Sequence, residues 1–357
     1  MHRLWLSALV GSAALLGAGP VQAFDGWRQE SATILEGKPS AFDYIGLDRG
    51  ANRLFLGHRK AGLQIFDPVG RKLIATLGDT AAHSSDGATL MPEFDLGISN
   101  NEDGTLTPFK LSTLEAQPSV KVSEELDTSH YDPATKRVFV NAASGPAGQD
   151  IVILDAPSLK LASTLHMASK KLEGADADGK GGLYLAEQDL GKIARIDAKA
   201  MTLAGEWPTP GCEKPTAVAV NAADNRLYLA CRKGAATKPA FLVLDLDTGG
   251  VIYSAEIGDG VDGLVYDAGM KRIFMACGLS ATLHVFEIDG PDAYKPVETL
   301  TTRQWIKVLA LDPERGKLYS MAAEGSADAG KKINANVSPF YPNTVFPNTF
   351  TVFSYSK

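Results

Sequence analysis

The chain has 357 residues, of which 45% are hydrophobic and 22% charged, with 35 Gly, 19 Pro and 3 Cys. This is a globular composition that excludes collagen-like, disulfide-scaffold and wholly disordered chains. The formal charge is −7 and no Lys/Arg cluster exceeds the pairs Lys170-Lys171 and Lys331-Lys332, which disfavours nucleic acid as the main partner because neutralising phosphates requires a basic face.

Residues 1–23 read as an export signal. Arg3 supplies the positive start, Leu4 to Leu16 an apolar run, and Val21-Gln22-Ala23 the small-residue cleavage pattern. Cleavage after Ala23 would leave a mature chain beginning at Phe24 and change the formal charge from −7 to −8, since Arg3 leaves and no acid does. A membrane anchor is the weaker alternative: about 20 apolar residues are needed to span a bilayer, and Pro20 closes this run early. No later stretch is apolar enough to span a membrane, so the expected compartment is the periplasm.

After a short strand at Ser31 to Glu36, the chain repeats itself. Five segments place an Asp or Asn ahead of a basic, an aliphatic and an aromatic residue at fixed offset. They are Asp48 with Arg53-Leu54-Phe55, Asp132 with Arg137-Val138-Phe139, Asn221 with Arg226-Leu227-Tyr228, Asp267 with Arg272-Ile273-Phe274, and Asp312 with Lys317-Leu318-Tyr319. Degenerate copies run from Met91 to Ile98 and from Asp178 to Leu183-Tyr184. Seven copies at an average spacing of 44 residues are the signature of four-stranded propeller blades. The polar links are turns between runs rich in β-branched and aromatic residues. Further aspartates, Asp67, Asp155, Asp197 and Asp245, end later strands and are expected to shape hairpins. The chain ends in a strand at Thr349 to Ser354, one strand short of a seventh blade. The expected fold is therefore all-β, a seven-bladed β-propeller of four-stranded blades in which the N-terminal strand completes the last blade and leaves no long edge. Residues 24–357 then form one domain, with a long loop at 324–348 in blade 7.

The frame Asp132-Pro133-Ala134-Thr135-Lys136-Arg137-Val138-Phe139, the segment Gly258-Asp259-Gly260-Val261-Asp262-Gly263, and Cys212-Glu213-Lys214-Pro215-Thr216 with Cys231-Arg232 resemble the YncE-like, YVTN-repeat family of exported bacterial propellers. The resemblance covers roughly residues 40 to 323 and implies a periplasmic seven-bladed propeller without a well-defined family activity. After Glu324, where Gly, Ser, Asn and Pro dominate, the chain departs from the pattern, so ligand specificity carried there is its own.

Stacking equivalent positions picks out candidate site residues. Five before each anchor stand Asp43, Asp86, Asp127, Glu173, Thr216, Asp262 and Lys307, a row expected to ring one mouth of the central channel. Ten after each anchor stand His58, Asn101, Ala142, Glu187, Cys231, Cys277 and Ala322, which antiparallel pairing is expected to bring to the same mouth. Converging carboxylates must bind a cation, meet donors or raise their pKa values. The alternative is that each acid accepts backbone N–H bonds where its blade begins. Lys307 and Thr216 break the row as a specific site would. The ligand-binding candidates are Asp43, His58, Asp86, Asp127, Glu173, Glu187, Arg232, Asp262 and Lys307. A divalent metal held by His58, His83, Asp43 and Asp86 is the candidate cofactor; His130 is out of phase with Asp127, and His284 falls in an expected outer strand.

No nucleophile elbow, Walker loop, dinucleotide fingerprint or haem-attachment motif is present. The leading expectation is a binding or scaffold protein that meets a small molecule or partner protein through its channel mouth and top-face loops. A metal-dependent, lactonase-like hydrolase or lyase is the alternative. Three cysteines in an oxidising compartment suggest one disulfide and one free thiol. Cys212 before the inner strand of blade 5 and Cys231 at the end of the next strand are the expected pair; Cys231 with Cys277, or three reduced thiols, are the alternatives.

Overall fold

The computed structural model describes residues 25–143, 145, 147–326, 342 and 344–357. The expected signal segment, Lys331-Lys332 and most of the 324–348 loop lie outside them. The described strands form seven four-stranded antiparallel sheets, the blades of a propeller, with sequence order running from the channel outwards in blades 1 to 6. No helix among the described residues is long and apolar enough to cross a membrane.

Blade 3 illustrates how the sequence builds each sheet. Its strands Leu126–Asp132, Arg137–Ala143, Gln149–Asp155 and Lys160–Met167 follow one another by hairpins. The second and third strands are buried through their middles, while the outermost is exposed or half-buried up to the buried Met167, as expected of a sheet edge facing water. The anchor aspartates act at the first hairpin: Asp132 accepts from the Ala134 and Thr135 amides, Asp48 from Ala51, Asn221 from Asp224, Asp267 from Met270 and Asp312 from Arg315. The fourth residue after each of these anchors is left-handed (Asn52, Lys136, Asn225, Lys271 and Gly316), as a turn followed by a left-handed residue requires. At three of them the basic residue next to it ties neighbouring blades together. Arg53 donates to the Leu111 carbonyl of blade 2, Arg137 to that of Ala198 in blade 4, and Arg226 to that of Pro291 in blade 6. Asp67, Asp197 and Asp245 accept backbone amides in the outer hairpins, as expected, whereas the Asp155 carboxylate takes Arg137 Nε at 3.3 Å.

The ring closes with strands from both ends of the chain. Blade 7 is ordered Ala310–Asp312, Lys317–Ala322, Thr351–Ser356 and Arg28–Ile34, the last two paired from Arg28↔Ser356 to Ile34↔Thr351. The closing strand starts earlier than the expected Ser31 to Glu36. Arg28, Gln29 and Glu30 face solvent, and a polar stretch is no bar to pairing at an outermost strand. The buried Trp27 fixes its start, edge-on to Phe274 of blade 6 at 4.9 Å. The C-terminal strand likewise starts at Thr351 rather than Thr349, whose hydroxyl is spent on the turn at Phe346. His284 lies in the third strand of blade 6, Thr282–Gly290, not its outer one.

Cys212 and Cys231 form the disulfide, with Cα atoms 5.7 Å apart, and Cys277 is a buried free thiol that burial pushes up to about 12.

Candidate functional site: the charged channel mouth

In five blades the first row of stacked residues sits where the inner strand's pairing register shifts. The shifts fall between Ser85 and Gly87, Leu126 and Ser129, Leu172 and Ala175, Pro215 and Ala217, and Val261 and Gly263. They bracket Asp86, Asp127, Glu173, Thr216 and Asp262. A bulge takes its residue out of the ladder and re-aims the side chain. Asp86, Asp127, Glu173 and Asp262 accordingly line one cavity of about 150 Å³ with Asp43 and Lys307. In blade 6 the next residue is Gly263, where a Cβ would come within 2.7 Å of Val308 Cα in blade 7; a side chain there would push the inner strands apart.

The second row does not join them. His58, Asn101, Glu187, Cys231 and Cys277 are buried away from the cavity, and the residues one further along, Arg59, Glu102, Gln188 and Arg232, line it instead. Successive strand residues point to opposite faces, so an offset of one replaces the whole set. Of the nine expected ligand-binding candidates, seven meet at the mouth, while His58 and Glu187 do not. His58 stacks on Phe350 at 3.7 Å and bonds through Nδ1 to Gln64 at 3.0 Å; burial lowers its pKa to about 4, so it is a neutral core residue. Burial, reinforced by Glu206, raises Glu187 to about 7 inside blade 4.

The acids are interleaved with cations. Lys307 Nζ bridges Asp43 at 2.7 Å and Asp262 at 2.6 Å. Arg232 binds Asp262, reaches Glu173 at 3.2 Å and donates from Nε to the Val261 carbonyl. Arg59 pairs with Asp43 and Glu102 and stands 3.4 Å from Asp86. Lys171 Nζ holds Asp127 at 2.6 Å, and Gln188 bridges Glu173 at 2.7 Å and Thr216 at 3.2 Å. The backbone-capping alternative does not describe these acids, whose partners are mainly side chains.

Pairing decides the protonation of each acid. Burial pushes Asp43 up, but Lys307 and Arg59 outweigh it and hold the carboxyl well below its usual range. Asp86 goes the other way: burial dominates, Arg59 opposes it only in part, Asp43 and Asp127 reinforce it, and the carboxyl rises to about 9. Burial also raises Glu173 against Lys171 and Arg232. The convergent carboxylates thus meet donors and raise their pKa values, two of the three outcomes expected of them.

Of the expected metal set, Asp43 and Asp86 line the mouth and His58 and His83 do not. His83 is bound to Asp103 at 2.6 Å and lies 3.4 Å from Asp79 at the surface, and His58 is in the core. Among the described residues, no three His, Cys, Asp or Glu side chains are grouped to hold a metal ion. Sequence reasoning missed Tyr44, Arg59, Glu102, Glu125, Leu126, Lys171 and Gln188. Of these, Arg59, Glu102 and Gln188 were findable from the second row shifted by one.

No family model matches the chain, and no curated protein matches it. Solved structures share its architecture. A chain in the crystal structure of the mitotic checkpoint complex superimposes with a TM-score of 0.69 at 13% identity, covering 89% of this chain and 95% of that one. A chain of Kuenenia stuttgartiensis hydrazine synthase gives 0.68 at 11%, covering 85% and 96%. The likeness is one of fold alone. Neighbours with such different names confirm the ring and leave function to the site.

Proposed function

We propose that the protein is an exported, non-catalytic propeller that binds a small ligand at its charged channel mouth. The observation that carries this reading is the construction of the mouth: buried ion pairs from different blades converge on one cavity large enough for a small molecule, with side chains fixed by one another. Such preorganised polar groups at a concave opening suit recognition. The hydrolase or lyase alternative has less support: Asp43 and Asp86 line the mouth, but His58 stacks on Phe350 and His83 is bound to Asp103. Assignment to the YncE-like family is part of this proposal and is supported by the Asp132 to Phe139 frame and the seven blades. Export to the periplasm is supported by the signal-like residues 1–23 and by the disulfide, a bond that persists in oxidising compartments.

The test is a thermal-shift panel of anionic, zwitterionic and cationic small metabolites on the wild type and on Asp127→Asn. A compound that raises the melting temperature of the wild type alone, and is recovered unchanged after incubation, supports the reading. Turnover of that compound, equal binding by both proteins, or no binder in the panel would overturn it.

A further inference from the structure

Among the described residues the mouth is unbalanced towards acids: seven carboxyl side chains and four cationic ones line the cavity. The cations are committed, Lys307 between Asp43 and Asp262, Arg232 between Asp262 and Glu173, and Lys171 on Asp127. Asp86 is different. It is 2% exposed and lines the cavity, yet among the described residues its Oδ1 accepts no hydrogen bond; it faces Arg59 Nε in an ion pair at 3.4 Å. A buried carboxyl oxygen left so costs free energy that an arriving donor recovers.

A second cavity, of about 170 Å³, opens between blades 3 and 4. Its walls include Phe139, Ile151, Leu183 and Leu185, with more apolar than polar surface. An apolar cavity of about 150 Å³ accepts a benzene ring. The two spaces are adjoining. Asp127 and Glu173 line the mouth, the residues following them, Thr128 and Gly174, line the side cavity, and Tyr44 lines both. Tyr44 is the wall the two spaces share, so a molecule reaching from the mouth into the side cavity passes over its ring. Burial and the surrounding carboxylates push the Tyr44 phenol well above its usual value, so the shared wall is a neutral aromatic ring, suited to a cation passing over it.

We propose that the ligand is a small organic ammonium ion, its charged nitrogen held by Asp86 and Asp127 at the mouth and an apolar group about the size of a phenyl ring seated between blades 3 and 4. This rests on the mouth being a ligand site and adds the class of molecule it takes. An anion would face the acidic excess of the described residues, a purely apolar molecule would leave Asp86 without a donor, and the arriving cation displaces to solvent the proton that Asp86 holds in the unliganded protein, which Asn cannot give up.

The test is titration of the full chain, by calorimetry or ligand-observed NMR, with 2-phenylethylammonium, ethylammonium and phenylacetate. The ammonium with the ring is expected to bind at least tenfold more tightly than either of the others, and Asp86→Asn and Asp127→Asn each to weaken it at least tenfold. Filling the side cavity with Ala175→Leu should weaken 2-phenylethylammonium by a similar factor while leaving ethylammonium within twofold; Ile151→Phe serves the same purpose should the first variant not fold. Phenylacetate binding as tightly as the ammonium, or 2-phenylethylammonium binding untouched by Asp86→Asn or by both filling variants, would overturn the proposal. If phenylacetate binds and Asp127→Asn abolishes it, the cation class fails while the mouth reading stands. If neither these probes nor the metabolite panel bind, both fail.

Discussion

Replacing Asp86 by Asn is expected to stabilise this protein, and replacing Asp43 by Asn to destabilise it, although both carboxyls line one cavity and both touch Arg59. For Asp86, burial is the largest influence; Arg59 pulls the pKa down, Asp43 and Asp127 push it up, and the result is about 9 against 3.8 for a free aspartate. The unfolded chain therefore loses this proton near pH 4, while the folded chain holds it until about pH 9. Unfolding releases a proton throughout that window, so the contribution of Asp86 is full below pH 4, falls as pH rises, and is exhausted above pH 9. At roughly 1.4 kcal/mol per pH unit, the five-unit interval sets a ceiling of about 7 kcal/mol, and about 4 kcal/mol at pH 7. Relaxation and water entry reduce what is realised, so a gain of about 1–4 kcal/mol for Asp86→Asn is expected at pH 7 and almost none at pH 4. Asp43 has the opposite sign, because Lys307 and Arg59 hold its pKa low. Its stabilisation is present above pH 4 and lost on acidification. Asp43→Asn leaves Lys307 with one carboxylate instead of two, at a cost of about 3–5 kcal/mol at neutral pH. Urea unfolding of the three proteins at pH 4, 5.5, 7 and 8.5 gives the differences directly. An Asp86→Asn protein less stable than wild type at pH 7, or a difference that does not change with pH, would refute the assigned electrostatics.

Lys307→Met, which strands Asp43 and Asp262 in the interior, should lower stability by about 3–5 kcal/mol, read as a reduced urea midpoint at pH 7. Changing Cys212 and Cys231 together to Ala opens a 19-residue separation and should cost about 3 kcal/mol on the chain-entropy account; wild type measured with and without reductant should differ similarly. Deleting residues 25–34 removes the outermost strand of blade 7 together with Trp27 and should lower the melting temperature sharply, whereas an unchanged curve would contradict strand closure of the ring. Protein recovered from the periplasm of an expressing bacterium should have Phe24 as its first residue by intact mass; a mass that includes residues 1–23 would contradict export with cleavage.

The architecture was legible because it is repeated. An Asp or Asn anchor, a left-handed turn residue and a basic-aliphatic-aromatic strand start recur at a spacing that one four-stranded blade requires, so blade count and closure followed from arithmetic. Strand ends were less legible. Trp27 fixes where the closing strand begins, through a contact with Phe274 that lies 247 residues away in sequence, and no local pattern at Arg28 to Glu30 announces it. The disulfide was legible for the same reason as the blades: Pro215 pairs with Cys231 in the register that the hairpin imposes, which leaves Cys212 at the same end of the sheet.

The mouth was half legible, and the missing half has one physical cause. Stacking equivalent positions finds what every blade shares, and the acids at the start of the inner strands are shared. Their neutralising partners are not. Lys307 takes the place of an acid in blade 7, Lys171 stands two residues before Glu173 in blade 4, and Arg59 and Arg232 come one residue after the stacked second row. That single-residue offset matters because it exchanges the face buried between blades for the face turned to the channel. Seven equal acids around one axis could not all stay ionised. A ring that keeps its repeat must therefore break it, blade by blade, wherever charge is compensated, and Asp86 is where compensation stops short. The repeat builds the barrel of the site, and departures from the repeat give it a charge pattern that a ligand can recognise.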